Sequence, residues 1–184
     1  MKLAIGITGA SGVSYAITLL DFLKSKKEIE LYIILSEWGE KILRDECNIE
    51  KKDLLSYTPH IYSNDELDSP LSSTSFVLDG FVIVPATVKT VSHIATGNTE
   101  ELITRVADNM LRMKRKLIIG IRETPLSSIT LENLYKISIA GGIILPLSPA
   151  FYHKPSSIED LRRFIAGKIL DILNIKNELY ERWS

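Results

Sequence analysis

A single three-layer α/β domain built on a mainly parallel sheet is the fold this sequence predicts, and three observations predict it. Five short runs rich in Ile, Leu and Val lack polar alternation, as strands buried on both faces do. Segments of helical period separate them, and alternation of such strands with helices indicates a parallel sheet covered on both sides. A glycine loop, "GITGASG" at Gly6 to Gly12, joins the first run to the first helical segment. A chain of 184 residues holds one domain with a real core and is short for two. Residues 1–184 are therefore read as one domain, with a C-terminal tail at about 174–184.

Taken in order, the strands are expected at Leu3 to Ile7, Leu31 to Leu35, Phe81 to Val84, Leu117 to Ile121 and Ile143 to Leu145. Helices are expected at Val13 to Lys24, Glu37 to Arg44, Val88 to Ala95, Glu100 to Lys114, Leu131 to Ala140 and Ile158 to Leu173. Cap chemistry supports these boundaries. Asn98 stands three residues before Glu101 and Ser156 three before Glu159, as in capping boxes, while Gly97 and Gly141 suit helix ends. Glu50 to Ser75 is the least periodic stretch, with Pro59, Asn64, Pro70 and "SSTS" at Ser72 to Ser75, and it predicts a mobile loop.

Composition narrows the function. A formal net charge of -1 gives no electrostatic reason for nucleic acid or an anionic membrane as a partner. The one cysteine, Cys47, has no partner for an internal disulfide or a metal knuckle and suits a reducing compartment. Gly6, Gly9 and Gly12 interrupt the first apolar stretch, so it reads as mature structure rather than a signal peptide. No run reaches the roughly 18 apolar residues of a membrane span, and the expected location is the cytoplasm.

The glycine loop has the context of a phosphate site: a buried strand before it and a helix N-terminus after it. Its G-x-x-G-x-x-G spacing is not the nicotinamide fingerprint, and the absence of G-K-[ST] removes the Walker reading. A Rossmann or flavodoxin-like sheet binds ligands outside the carboxyl ends of its strands. The segments there are "TGAS" at Thr8 to Ser11, Ser36, "PATVKT" at Pro85 to Thr90, "RETP" at Arg122 to Pro125 and "PLSPAFYHKP" at Pro146 to Pro155. Hydroxyls, a lysine, an arginine, a glutamate and a tyrosine thus converge on one edge, a composition suited to a phosphorylated aromatic ligand.

These segments carry a resemblance. With "IATG" at Ile94 to Gly97, "RVADNMLR" at Arg105 to Arg112, "PAFYHKPSSIEDL" at Pro149 to Leu161 and the late "RW" at Arg182 and Trp183, the chain resembles the UbiX-type flavin prenyltransferases nearly end to end. They belong to a wider flavoprotein group that includes flavin-dependent cysteine decarboxylases. The resemblance implies FMN as the nucleotide, a mononucleotide that fits the absence of a dinucleotide fingerprint. Its contacts would be Gly9, Ala10, Ser11, Ser36, the run Thr87, Val88, Lys89 and Thr90, and Arg122. Helix capping is the alternative reading for Ser36 and Thr87.

The second substrate implied is dimethylallyl phosphate, with Tyr152 and Lys168 as ligands and Arg105, Arg112 and Lys89 as further cations. In the family a basic helix of this kind comes from a neighbouring subunit. An ion-pair ladder around Asp108 would explain Arg105 and Arg112 equally well. The implied reaction is metal-independent: N5 and then C6 of reduced FMN take the dimethylallyl group as phosphate leaves. The implied catalytic residues are Glu123 as base, Glu46 as a weaker candidate, Ser11 beside the flavin, and Trp183 facing the allylic cation. The family forms homododecamers with sites at subunit interfaces and hands prenylated FMN to a UbiD-type decarboxylase. Leu102, Val106, Met110 and Met113, with the aromatic tail, are the expected subunit contacts.

The chain departs from the family in three places. Ala86 replaces a frequent cysteine, Arg112 a frequent lysine and Lys168 a frequent arginine. The cysteine decarboxylase reading is disfavoured because "PATVKT" stands where those enzymes carry P-A-S-A-N-T, and their P-x-M-N-x-x-M-W motif is absent. A non-catalytic FMN-binding regulatory protein remains the other alternative.

Overall fold

The computed structural model describes residues 1–183. Its six strands are β1 (Lys2–Ile7), β2 (Glu30–Leu35), β3 (Ile61–Ser63), β4 (Gly80–Ala86), β5 (Lys116–Ile121) and β6 (Ile143–Pro146). They form one parallel sheet in the order β3-β2-β1-β4-β5-β6, the doubly wound Rossmann order. Six α-helices accompany it: α1 (Val13–Leu23), α2 (Glu37–Cys47), α3 (Val88–Thr96), α4 (Leu102–Arg112), α5 (Ser128–Ile139) and α6 (Ile158–Ile172).

Alternation along the strands divides the core into two layers. Leu3, Ile5 and Ile7 of β1, Ile33 of β2 and Val82 of β4 point to one face, where α1 and α6 cover them with Leu19, Leu20, Ile165 and Ile169. Tyr32, Ile34, Phe81 and Ile83 point to the other, under α3, α4 and α5. With both faces buried, no polar alternation survives in the strands, which is why they read as continuous apolar runs. Gly6 belongs to this packing: a Cβ there would stand 3.1 Å from the Phe81 ring.

Three expectations of local structure are corrected. The stretch predicted as a mobile loop carries the short edge strand β3 and two 3-10 turns, Lys51–Ser56 and Pro70–Ser72, and it buries Leu54 and Leu71. Its strand is three residues long and sits at an edge, too brief for a periodic signal. The capping box at Ser156 is displaced by one residue: Ser157 caps α6 and exchanges hydrogen bonds with Asp160. Asn98 caps no helix, because its Oδ1 accepts from Glu100 N at 3.0 Å and α4 begins only at Leu102.

The cap of α4 comes instead from a distant loop. Asn64, just beyond β3, accepts from Leu102 N through its carbonyl at 2.7 Å and from Ile103 N through Oδ1 at 2.8 Å. Its own N–H donates to Leu35 O at 3.1 Å, so one residue ties the end of β2 to the start of α4. Leu102, Val106 and Met110 then turn into the core, which corrects their expected place in a subunit contact; only Met113 of that set is exposed. Replacing Asn64 by Ala should lower the unfolding free energy by about 1 kcal/mol, as loss of a side-chain cap does. Asn98→Ala should cost less than half as much, and urea denaturation of the two variants checks the order.

Candidate functional site

From β1 the chain winds outward to β2 and β3, and through β4 it returns to the opposite side of β1. The loops after β1 and β4 therefore part, leaving a crevice at the carboxyl edge of the sheet. Thr8 closes its floor. Its hydroxyl donates to Pro85 O at 2.8 Å and accepts from Thr87 N at 3.0 Å, while its N–H reaches Pro85 O at 3.3 Å. The side chain that makes this clasp is buried.

Beyond Gly6 in the core, the other two glycines of the loop serve close approach and a turn. A Cβ on Gly9 would lie 2.3 Å from Cβ of Trp38, so Gly9 lets the start of α2 sit against the loop. Gly12 takes a left-handed φ of 98° at the N-cap of α1, a conformation that costs side-chain-bearing residues energy. Its N–H donates to Glu46 Oε2 at 2.9 Å. Glu46, read as a weak candidate base, is thus bound to the loop backbone. Arg122 braces the loop from β5, donating through Nε to Ser11 O at 3.1 Å.

Ser36 and Thr87 cap α2 and α3, accepting from Gly39 N at 3.0 Å and Thr90 N at 3.1 Å. The capping alternative is therefore realised at both positions, and both also line a cleft of about 600 Å³ that includes Thr8, Gly9, Lys89 and Thr90. That volume lies in the usual range for a cofactor pocket. The donor set suits the phosphate of FMN: three hydroxyls, at Ser36, Thr87 and Thr90, stand where two helix N-termini leave first-turn amides without intrahelical partners. The lining is also acidic, with Glu37 and Glu40 in the first turn of α2 and Asp65, Glu100 and Glu101. Lys89, the one lysine of the lining among the described residues, is paired with Glu101 at 2.6 Å.

The remaining predicted residues fall into separate groups. Glu123 is exposed and accepts from Thr124 N at 3.0 Å. Tyr152, Lys168 and Trp183 meet in an aromatic cluster on α6: Tyr152 stands edge-on to Trp183 at 5.4 Å, and the Lys168 ammonium lies 4.8 Å from the Tyr180 ring centre. The ion-pair alternative is realised for Arg112, which donates to Asp108 at 2.8 Å. Arg105 instead donates through Nε to Thr99 O at 3.3 Å. None of these lines the cleft. Among the described residues there is no cluster of three potential metal ligands, and no helix is long and apolar enough to cross a membrane.

A latch holds the aromatic cluster in place. Asp171 accepts from Tyr180 Oη at 2.6 Å, from Asn177 Nδ2 at 2.9 Å, and from two Arg182 nitrogens at 3.0 and 2.6 Å. Burial pushes its carboxyl upward, but the hydrogen bonds from Arg182, Tyr180 and Asn177 outweigh burial and hold it below the ordinary range. Hydrogen bonding with Tyr180 raises Lys168 and keeps it cationic. Trp38, Asn64 and Glu101 are cleft residues that sequence reasoning missed. Asn64 lay in a segment without periodicity, and only its turn-forming residue type was visible.

An all-parallel Rossmann-type sheet with a phosphate-suited cleft at its switch point defines a nucleotide-binding α/β protein. The flavoprotein family pattern matches residues 1–170. Flavin prenyltransferase UbiX of Methanocaldococcus jannaschii is 46% identical over 184 residues, covering 100% of this chain and 99% of its own. A crystal structure of AnUbiX (PadA1) in complex with FMN and dimethylallyl pyrophosphate superposes with a TM-score of 0.95 at 34% identity, over 100% of this chain and 97% of that one. A dodecameric FMN-dependent UbiX-like decarboxylase from Escherichia coli O157:H7 gives 0.97 at 31%, over the whole of both chains. This chain belongs to the flavoprotein family, in its UbiX-type flavin prenyltransferase branch.

The latch carries a pH signature. A lowered carboxyl stabilises the fold above its unfolded-state pKa, and that contribution is lost as pH falls through the folded-state value. Asp171→Asn should therefore be less stable than the parent by about 1–2 kcal/mol at pH 7. The gap should close as pH falls below about 4, the ordinary aspartate range. Denaturant midpoints of both proteins across that range provide the check.

Proposed function

We propose that the chain is a flavin prenyltransferase that transfers the dimethylallyl group of dimethylallyl phosphate to reduced FMN and supplies the prenylated flavin to a UbiD-type decarboxylase. The observation that carries this reading is the phosphate-suited cleft in a chain alike, end to end, to a protein crystallised with FMN and dimethylallyl pyrophosphate. Reduced FMN supplies the nucleophilic atoms, N5 first and C6 in ring closure. The hydroxyls of Ser36, Thr87 and Thr90 and the first-turn amides of α2 and α3, Val88 and Lys89 among them, hold its phosphate. Gly9, Ala10 and Ser11 lie along the flavin, kept in place by the Arg122 contact to Ser11 and the Glu46 contact to Gly12.

The prenyl phosphate is received by Tyr152 and Lys168. A cationic Lys168 stabilises the negative charge that grows on the departing phosphate, work that side chains can do without a metal ion. The rings of Tyr152 and Trp183 exclude water from the allylic cation and offer it their faces, an interaction worth about 2 kcal/mol when desolvated. Ring closure requires a proton to be given to the alkene carbon of the N5-bound prenyl group and another to be lost from C6, and Glu123 would carry this proton transfer. Arg105 and Arg112 would add charge from a neighbouring copy, in keeping with their absence from the lining of this chain's own cleft.

The enzyme works as a homo-oligomer, with the dodecamer as its assembly. Trp183 is 79% exposed in a single chain, an unusual position for an indole assigned to a dry pocket. Leu131, Tyr135 and Ile139 form an exposed apolar stripe at four-residue spacing on α5, and they replace the buried residues of α4 as the candidate contacts. Light scattering should give the mass of a dodecamer for the parent protein and a smaller species for the double variant Leu131→Asp, Tyr135→Lys. A monomeric parent would refute the shared-site part of the reading.

The activity is tested anaerobically by loading FMN, reducing it, adding dimethylallyl phosphate and weighing the extracted flavin. A gain of one dimethylallyl-derived five-carbon unit is expected, reduced at least tenfold in rate by Glu123→Gln or Lys168→Met. Unchanged FMN with both the phosphate and the diphosphate donor would overturn the assignment and favour a cysteine-type decarboxylase or a regulatory FMN-binding protein.

A further inference from the structure

Lys89 is placed where its charge is unwelcome. It lies in the first turn of α3, at the positive end of the helix dipole, where a cation is disfavoured unless an anion stands beside it. The anion is brought from another element. Glu101 is the backbone N-cap of α4 but makes no side-chain cap, and its carboxylate reaches Lys89 Nζ at 2.6 Å instead. It is free to do so because Asn64 supplies the cap of α4 from β3, through Leu102 N and Ile103 N.

Both partners line the cleft beside Thr87 and Thr90, where the phosphate of a mononucleotide would rest. Among the described residues, Lys89 is the only lysine there against the five carboxylates of Glu37, Glu40, Asp65, Glu100 and Glu101. A dianionic phosphate entering the cleft meets an acidic lining and a lysine already occupied. The pair is also accessible: the side chain of Lys89 is 63% exposed and that of Glu101 30%, so the lysine can change partners without unpacking the core.

We propose that Glu101 is a placeholder counter-ion for the flavin phosphate: it pairs with Lys89 at the cleft, competes with the phosphate for it, and so limits the affinity for a phosphorylated flavin. This rests on the cleft being the FMN phosphate site. Glu101 is here a positioning residue, acting on the nucleotide through Lys89. A prenyltransferase whose product is itself a phosphorylated flavin must let it go, and a clamp whose lysine has a waiting partner releases phosphate more readily.

Riboflavin, which lacks the phosphate, separates this effect from any change in the flavin pocket. Oxidised FMN and riboflavin are titrated by fluorescence quenching into the full-length parent, Glu101→Gln and Lys89→Met, each first checked for an unchanged melting temperature. Glu101→Gln should tighten FMN roughly three- to tenfold at low ionic strength, mainly through slower dissociation, and leave riboflavin unchanged. The gain should shrink as salt is raised. Lys89→Met should weaken FMN and not riboflavin.

Unchanged or weaker FMN binding by Glu101→Gln, or an equal gain for riboflavin, would overturn the placeholder role. So would Lys89→Met with an unaltered ratio of FMN to riboflavin affinity. A parent protein that binds FMN no better than riboflavin would instead remove the phosphate site on which the inference stands. The two failures are therefore distinguishable.

Discussion

The clasp that Thr8 makes between the loops after β1 and β4 is the contact on which the rest of the site depends. A parallel sheet that winds both ways from its centre must open where the winding reverses, and an opening lined by backbone ends would fill with water. Here a buried hydroxyl donates to one strand's outgoing chain and accepts from the next residue but one, so the floor is tied by side-chain chemistry. With the floor set, the N-termini of α2 and α3 face the same space. Gly9 then allows α2 to approach, because only a residue without a Cβ leaves room for Trp38.

Hydrogen-bonding groups in this protein are shared between stability and the site. Ser36 and Thr87 cap helices and at the same time present hydroxyls to the cleft, so the readings of cap and ligand group do not compete. Asn64 shows the same economy at longer range. By capping α4 from a strand end, it leaves the carboxylate of Glu101 to reach across to α3. A loop residue without any helical role in the sequence thereby governs which charges border the cleft.

The aromatic cluster on α6 is organised by a different principle. Asp171 gathers Asn177, Tyr180 and Arg182 with hydrogen bonds of 2.6 to 3.0 Å, drawing the last residues back over the helix. Tyr152, Phe164 and Tyr180 then pack ring to edge, and Lys168 lies over two of the rings. This assembly leaves Trp183 largely in solvent, in keeping with the proposed oligomer in which a second copy would cover it.

The sequence by itself determined the class of fold, five of the six strands and all six helices, because burial on both faces writes itself into apolar runs and helical packing into a 3.6-residue period. It also determined the residue types at the strand ends, where "GITGASG", "PATVKT" and "RETP" proved to stand together. Local patterns could not reveal β3, which is too short, or the cap of α4, whose accepting residue and two donors lie 38 and 39 residues apart. The inward turn of Leu102, Val106 and Met110 was equally hidden, since an apolar helix stripe looks the same whether it meets a core or another subunit. Only the tertiary structure decided that Lys89 meets Glu101 and that Glu46 holds Gly12, because a charged side chain's partner is chosen by what the fold brings within about 3 Å and not by its neighbours in the chain.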